Sequence, residues 1–221
     1  TYADGADIIT ASAGTNNFRA GVNAGNSIAS GGDRNVVIGY NAGTAITTGD
    51  SNVAIGWEAL KTEDAHANNV AIGHAALTLQ NAGADAYNVA VGYNAGTAVT
   101  TGIQNTLIGA LAGDALTDAD RNVVIGYQAL SADTKGDRTI AIGAFALATQ
   151  NFTSVTSTNN TAVGYESGGA LTTGASNTLV GSNSGVYITT ANNSTFMGFK
   201  AGQGITGAKL TGNKNTAVGN S

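Results

Sequence analysis

Few residues in this 221-residue chain have the types to do chemistry: two histidines, 14 carboxylates and one Gly-rich hexapeptide. A metal centre needs imidazole, thiolate or carboxylate ligands converging on one point. The chain has no Cys, and His66 and His74 fall in different parts of the repeat set out below, so they read as surface or ladder residues. Acid–base catalysis needs carboxylates placed around a substrate. Asp118, Asp120 and the pair Glu63-Asp64 sit in turns, where carboxylates cap backbone N–H groups. Gly202-Gln203-Gly204-Ile205-Thr206-Gly207 matches a dinucleotide-loop pattern, but no helix signal follows it and 32 residues of the chain are Gly. Ser182-Asn183-Ser184 puts Asn where a nucleophile elbow needs Ser. These residues point to no enzyme, no metal and no cofactor.

Composition narrows the classes further. Nine Lys and Arg against a net charge of −5 give no basic stripe for nucleic acid. No apolar run approaches the roughly 20 residues of a spanning helix, so no direct membrane insertion is expected. With 42% hydrophobic residues and only 10% charged ones, the chain has enough apolar surface to fold. Thr at position 1, with no charged-then-apolar leader after it, reads as a processed chain or a fragment.

What the chain does have is self-similarity. An Asn-Val-x-Ile-Gly motif recurs with its glycines at Gly21, Gly39, Gly56, Gly73, Gly92, Gly109, Gly126, Gly143, Gly164, Gly181, Gly198 and Gly219, mostly 17 residues apart. With each of these glycines as position 0, position −4 is Asn in ten copies, including Asn35, Asn52, Asn69, Asn88, Asn105 and Asn122. Positions −3 and −1 are β-branched or apolar, as in Val53 and Ile55, and read as a short strand closed by a turn. Position −2 faces the other way and is apolar in eleven of twelve copies, Arg19 being the exception, so both strand faces should be buried. Position +3 is always Ala or Ser, and position +4 is Gly in seven copies and Leu in four, which marks a tight corner. Ala45–Gly49, Ala98–Gly102 and Ala170–Gly174 share an Ala-x-Thr-Thr-Gly pattern and read as a second strand with a polar turn.

Two short strands and two turns per unit define an all-β fold: a repetitive parallel β-roll or β-solenoid of about 12 coils, some 55 Å long at the usual strand spacing of about 4.8 Å. Residues 1–16 form a lead-in or the end of a preceding coil, and 17–221 one continuous repeat domain. Longer intervals place surface loops near Gln80–Tyr87, Thr149–Asn159 and Gln203–Lys214. A doubly apolar strand needs a second cover, and identical chains around an axis would supply it, most simply as a homotrimer. The Asn row would stack its amides along the axis, by hydrogen bonding or around an ion or water column. Aromatics at position +1, among them Tyr40, Trp57 and Tyr93, form a second column, serving packing between coils or contact with a carbohydrate.

Asn52-Val53-Ala54-Ile55-Gly56, Asn69-Val70-Ala71-Ile72-Gly73 and Asn215-Thr216-Ala217-Val218-Gly219 resemble the head repeats of trimeric autotransporter adhesins and the repeat arrays of phage tail fibres. The resemblance covers residues 17–221, although the adhesin heads use a shorter coil. It implies a trimer of left-handed parallel β-rolls. The function it implies is a non-enzymatic rigid shaft or receptor-binding head of an extracellular, cell-surface or virion fibre, with itself and a surface receptor or glycan as partners. An ice-binding solenoid is the alternative, suggested by Thr47-Thr48, Thr100-Thr101, Thr172-Thr173 and Thr189-Thr190.

Overall fold

The computed structural model describes residues 12–203 and 212–220. Among these there is no helix, and every copy of the motif is a three-residue strand. The first seven are β1 (Phe18–Ala20), β2 (Val36–Ile38), β3 (Val53–Ile55), β4 (Val70–Ile72), β5 (Val89–Val91), β6 (Thr106–Ile108) and β7 (Val123–Ile125). After the two-residue β8 (Gly136–Asp137) come β9 (Ile140–Ile142), the two-residue β10 (Thr156–Ser157), β11 (Thr161–Val163), β12 (Thr178–Val180), β13 (Thr195–Met197) and β14 (Thr216–Val218). Twelve of them stack in chain order into one parallel sheet, with β8 and β10 pairing separately. Register follows the motif: Val36 lies on Val53, Val37 on Ala54 and Ile38 on Ile55. The fold is thus a parallel β-solenoid of about eleven turns between twelve strands, about 53 Å long at ordinary strand spacing.

Glycine at position 0 sets how closely the coils stack. These residues take φ between +124° and +145°, a region in which a side chain is strained. A Cβ on Gly109 would lie 2.7 Å from the carbonyl oxygen of Gly126, so the column packs backbone on backbone.

The corners depend on left-handed residues of every type. Among the described residues, all 27 non-Gly residues with positive φ fall at positions −5, +2 or +4. Hydrogen bonds to adjacent coils hold them there. At +2 the N–H of Leu111 donates back to the carbonyl of Tyr93 (2.9 Å), and at +4 that of Gly113 donates forward to Ala129 (3.0 Å). Each corner is stitched in both directions, so the roughly 1 kcal/mol or more that a left-handed residue costs is imposed by the stack rather than chosen by the side chain.

The expected second strand is corrected. Ala45–Gly49, Ala98–Gly102 and Ala170–Gly174 are turns and bends, and each coil carries one strand of the main sheet. The Thr N–H groups do bond to the next coil, Thr47 to Asp64 (2.6 Å), Thr100 to Thr117 (2.9 Å) and Thr172 to Thr189 (2.8 Å). The left-handed residue at −5 soon follows, and no extended run develops.

Position −2 fills the core. Val37, Ala54, Ala71, Ala90, Leu107, Val124, Ala141, Ala162, Leu179 and Phe196 are buried, together with the Ala and Ser of position +3. The Asn row lies inside this core as well. Asn105 donates from Nδ2 to the carbonyl of Ala119 (2.8 Å), and its Oδ1 accepts the N–H of Asn122 (3.0 Å). The same clasp recurs at Asn35, Asn88 and Asn177. The amides therefore hold their own chain together and do not face an axis between chains. Asn105→Ala would strand a buried carbonyl and a buried N–H, and we expect it to cost about 2–3 kcal/mol by urea denaturation.

Candidate functional site

The outward face of the strands is a long feature that the described residues leave uncovered. Positions −3 and −1 were expected to be buried; in the chain alone they are half-buried or exposed, while only the residue between them is enclosed. Val53, Ile55, Val70, Ile72, Val89, Val91, Ile108, Val123 and Ile125 thus form a β-branched stripe along the rod, with Ile108 37% and Met197 45% exposed. In-register stacking of three-residue strands makes this stripe continuous, since each side chain repeats directly above its counterpart.

Two aromatic clusters lie on the surface. Tyr40, Trp57, His74 and Tyr93 form a continuous stack, with ring centroids 6.5, 4.5 and 5.1 Å apart and interplanar angles of 10–25°. Their faces are turned on one another, leaving largely edges to solvent. Where Ala144 replaces the aromatic at +1, Phe145 enters from +2 and stands perpendicular to Tyr127 and Tyr165. Beside it lies a hollow of about 300 Å³, lined by Phe145, Ala148, Glu166, Val186 and Tyr187 among others. Glu166 accepts a hydrogen bond there from Asn183 (2.9 Å).

Of the carboxylates expected to cap backbone groups, Glu63, Asp64 and Asp120 accept backbone N–H groups. Asp120 accepts the N–H of Ile103 (2.9 Å), within a second Asp/Asn row near position −6 in which Asp50 serves Asp33 (2.6 Å) and Asp137 serves Asp120 (2.8 Å). Asp118 pairs with Lys135 (3.4 Å) and accepts from the Thr117 hydroxyl. The hydroxyls of Thr47, Thr100 and Thr172 donate to carbonyls of the next coil. The long intervals at 80–87 and 149–159 carry exposed residues, although Gln80, Gln150 and Thr158 within them are buried, and most of 203–214 lies outside the described residues, as does most of the Gly-rich hexapeptide.

A coupling between positions +4 and +7 escaped the sequence reading. Where +4 is Gly, +7 is a buried aliphatic residue: Ile28, Ile46, Val99, Leu116, Leu171 or Ile188. Where +4 is Leu (Leu60, Leu77, Leu130, Leu147), +7 is a buried polar residue: Glu63, Gln80, Asp133 or Gln150. The reason is space. A Cβ on Gly113 would come within 2.8 Å of Leu116 Cδ1, so one large side chain fits and the two positions share it. Leu coils come in adjacent pairs flanked by Gly coils, and the two acid–Gln pairs, Glu63/Gln80 and Asp133/Gln150, lie 70 residues apart. From Gly25 to Gly185 the chain thus repeats at two levels, the coil and a block of four coils, and Gly202, a third Gly corner in a row, departs from the second.

The two acid–Gln pairs differ. Asp133 is saturated: Oδ1 accepts the N–H groups of Lys135 (3.3 Å), Gly136 (3.1 Å) and Phe152 (2.9 Å), and Oδ2 accepts Nε2 of Gln150 (2.6 Å). Glu63 accepts, through Oε1, the N–H groups of Asp64 (3.2 Å) and His66 (3.2 Å), and Oε1 lies 3.3 Å from His66 Nδ1. Its Oε2 has no partner, and neither has Nε2 of Gln80. Burial pushes the Glu63 carboxyl above the usual range, against the lowering effect of His66. No family model, curated protein or solved structure matches the chain.

Proposed function

We propose that this chain is a non-catalytic building element of a fibre: a homotrimeric shaft or receptor-binding head at a cell surface, on a virion or otherwise outside the cell. The observation that carries the reading is the continuous β-branched stripe at positions −3 and −1, which the chain's own described residues leave half-exposed over the length of the sheet. Three such stripes meeting around an axis would bury one another, at about 25 cal/mol per Å² of apolar surface. Tight coil stacking and left-handed corners suit a rigid spacer, and the rod's surface aromatics and the hollow beside Phe145 are the places for receptor or glycan contact. Sedimentation equilibrium at micromolar protein should return three times the chain mass, and Ile125→Lys, a change in the middle of the stripe, should shift it to the monomer while the far-ultraviolet β signal stays. A folded wild-type monomer under those conditions would refute the assembly.

A second reading, ice binding, draws on the Thr-Thr pairs Thr47-Thr48, Thr100-Thr101, Thr172-Thr173 and Thr189-Thr190. Thermal hysteresis at micromolar protein would favour it over the fibre. We expect none, because the inner Thr of three of the four Thr-Thr pairs engages its hydroxyl within the fold.

A further inference from the structure

The loop that follows Leu60 holds the second candidate for binding. Glu63, Asp64 and His66 each place one ligand atom within 4.8 Å of the others, with Glu63 buried and the other two half-exposed. Proximity of carboxylates and an imidazole on a surface is common and means little by itself. Two further observations give it weight. Glu63 is fully buried and its Oε2 lacks any partner, a costly condition for a carboxylate oxygen in the interior. The second block of four coils supplies a comparison within the same chain. There the equivalent Asp133 has every oxygen engaged, and Thr134 and Gly136 stand where Asp64 and His66 stand in the first block. The fold can therefore satisfy a buried acid at this position unaided. In the first block Gln80 stands where Gln150 does but leaves its Nε2 unpaired, Glu63 Oε2 stays open, and a second carboxylate and an imidazole lie beside the Glu63 carboxylate.

We propose that Glu63, Asp64 and His66 bind a divalent transition-metal ion at this loop, through one carboxylate oxygen each of Glu63 and Asp64 and a ring nitrogen of His66. Mixed carboxylate and imidazole ligands favour ions of the zinc class over calcium or magnesium, which take oxygen alone. Three protein ligands leave room for water. The ion ties residue 63, which faces the core, to residues 64 and 66 at the surface, and so fastens a corner that in the second block is fastened by Gln150 and that Gln80, with Nε2 unpaired, leaves unfastened in the first. The proposal is independent of the fibre reading, since it concerns one coil and not the stripe.

Zinc titrated into chelator-stripped protein, followed by calorimetry, should show one ion per chain and raise the unfolding temperature. His66→Ala and Glu63→Gln should each weaken binding by at least about tenfold, with Asp64→Asn, a more exposed change, as a third variant in case burial makes Glu63→Gln fold poorly. Asp133→Asn should leave zinc affinity unchanged. Imidazole nitrogen shifts give a separate readout: zinc should move the signals of His66 and not those of His74, the other histidine in the chain. Absence of saturable binding at millimolar zinc overturns the proposal, and so does binding that survives both His66→Ala and Glu63→Gln.

Discussion

Gly109→Ala should remove at least about 4 kcal/mol of stability, a large part of the 5–15 kcal/mol typical of a folded domain. Two costs combine. Gly109 has φ of +131°, where an Ala side chain is strained by about 1–3 kcal/mol. Its new Cβ would also lie 2.7 Å from the Gly126 carbonyl oxygen and 2.8 Å from the carbonyl carbon. Both are backbone atoms, held in register by strand pairing from β6 to β7, so neither can move aside as a side-chain tip would. The coils must separate locally, and each lost inter-coil hydrogen bond adds to the loss. Equilibrium urea denaturation checks this. A Gly109→Ala protein within about 1 kcal/mol of the wild type would mean that the glycine column does not set the stacking distance. Ala at Gly83, where φ is unstrained and no atom lies within 4 Å of the added carbon, is the matched control.

A double-mutant cycle at Leu77 and Gln80 should show strong coupling. Leu77→Gly alone empties a fully buried site next to Gly96, and should cost about 3–4 kcal/mol: the usual large-to-small penalty, less about 1 kcal/mol for relieving a Leu held at φ +48°. Gln80→Val alone crowds an aliphatic group against Leu77 and removes the acceptor of one Asn88 hydrogen bond, while Asn88 keeps its bond to the Gly102 carbonyl. The double variant recreates the Gly96/Val99 arrangement of the next coil, and should be less destabilised than the sum of the single changes by at least about 2 kcal/mol. Additivity to within about 0.5 kcal/mol would show that the two positions fill separate spaces.

How much could be read before the structure depends on whether residue type or neighbouring backbone does the work. Asn105 and Gly109 were legible because an amide clasp and a φ near +130° admit few side chains, so the same letters return coil after coil. The left-handed corners at −5 and +2 were not legible. Tyr87, Leu111, Arg121 and Phe145 occupy them, and their conformation comes from hydrogen bonds to adjacent coils that leave no mark on composition. Thr47-Thr48 read as strand because β-branched residues favour extension, a local preference that the following corner overrides. Pairing of Leu at +4 with Glu, Gln or Asp at +7 was present in the letters but spans two positions, so inspecting one column at a time misses it. Tyr40, Trp57 and Tyr93 were expected to form a column, and they stack with His74, which was read as a surface or ladder residue but not placed in that column.

The pairing of Leu coils has a consequence for how such a rod can change length. Joining coils at a boundary between two Gly coils, as between Gly92 and Gly109, matches aliphatic core to aliphatic core. Cutting between Asp133 and Gln150 would instead leave a buried carboxylate oxygen facing a stranger. A run of Gly coils, such as those of Gly168, Gly185 and Gly202, can therefore gain or lose a single coil, about 4.8 Å at ordinary strand spacing, whereas Leu coils are gained or lost in pairs. Length in this architecture is thus graduated finely where corners are Gly and in double steps where buried polar pairs join two coils.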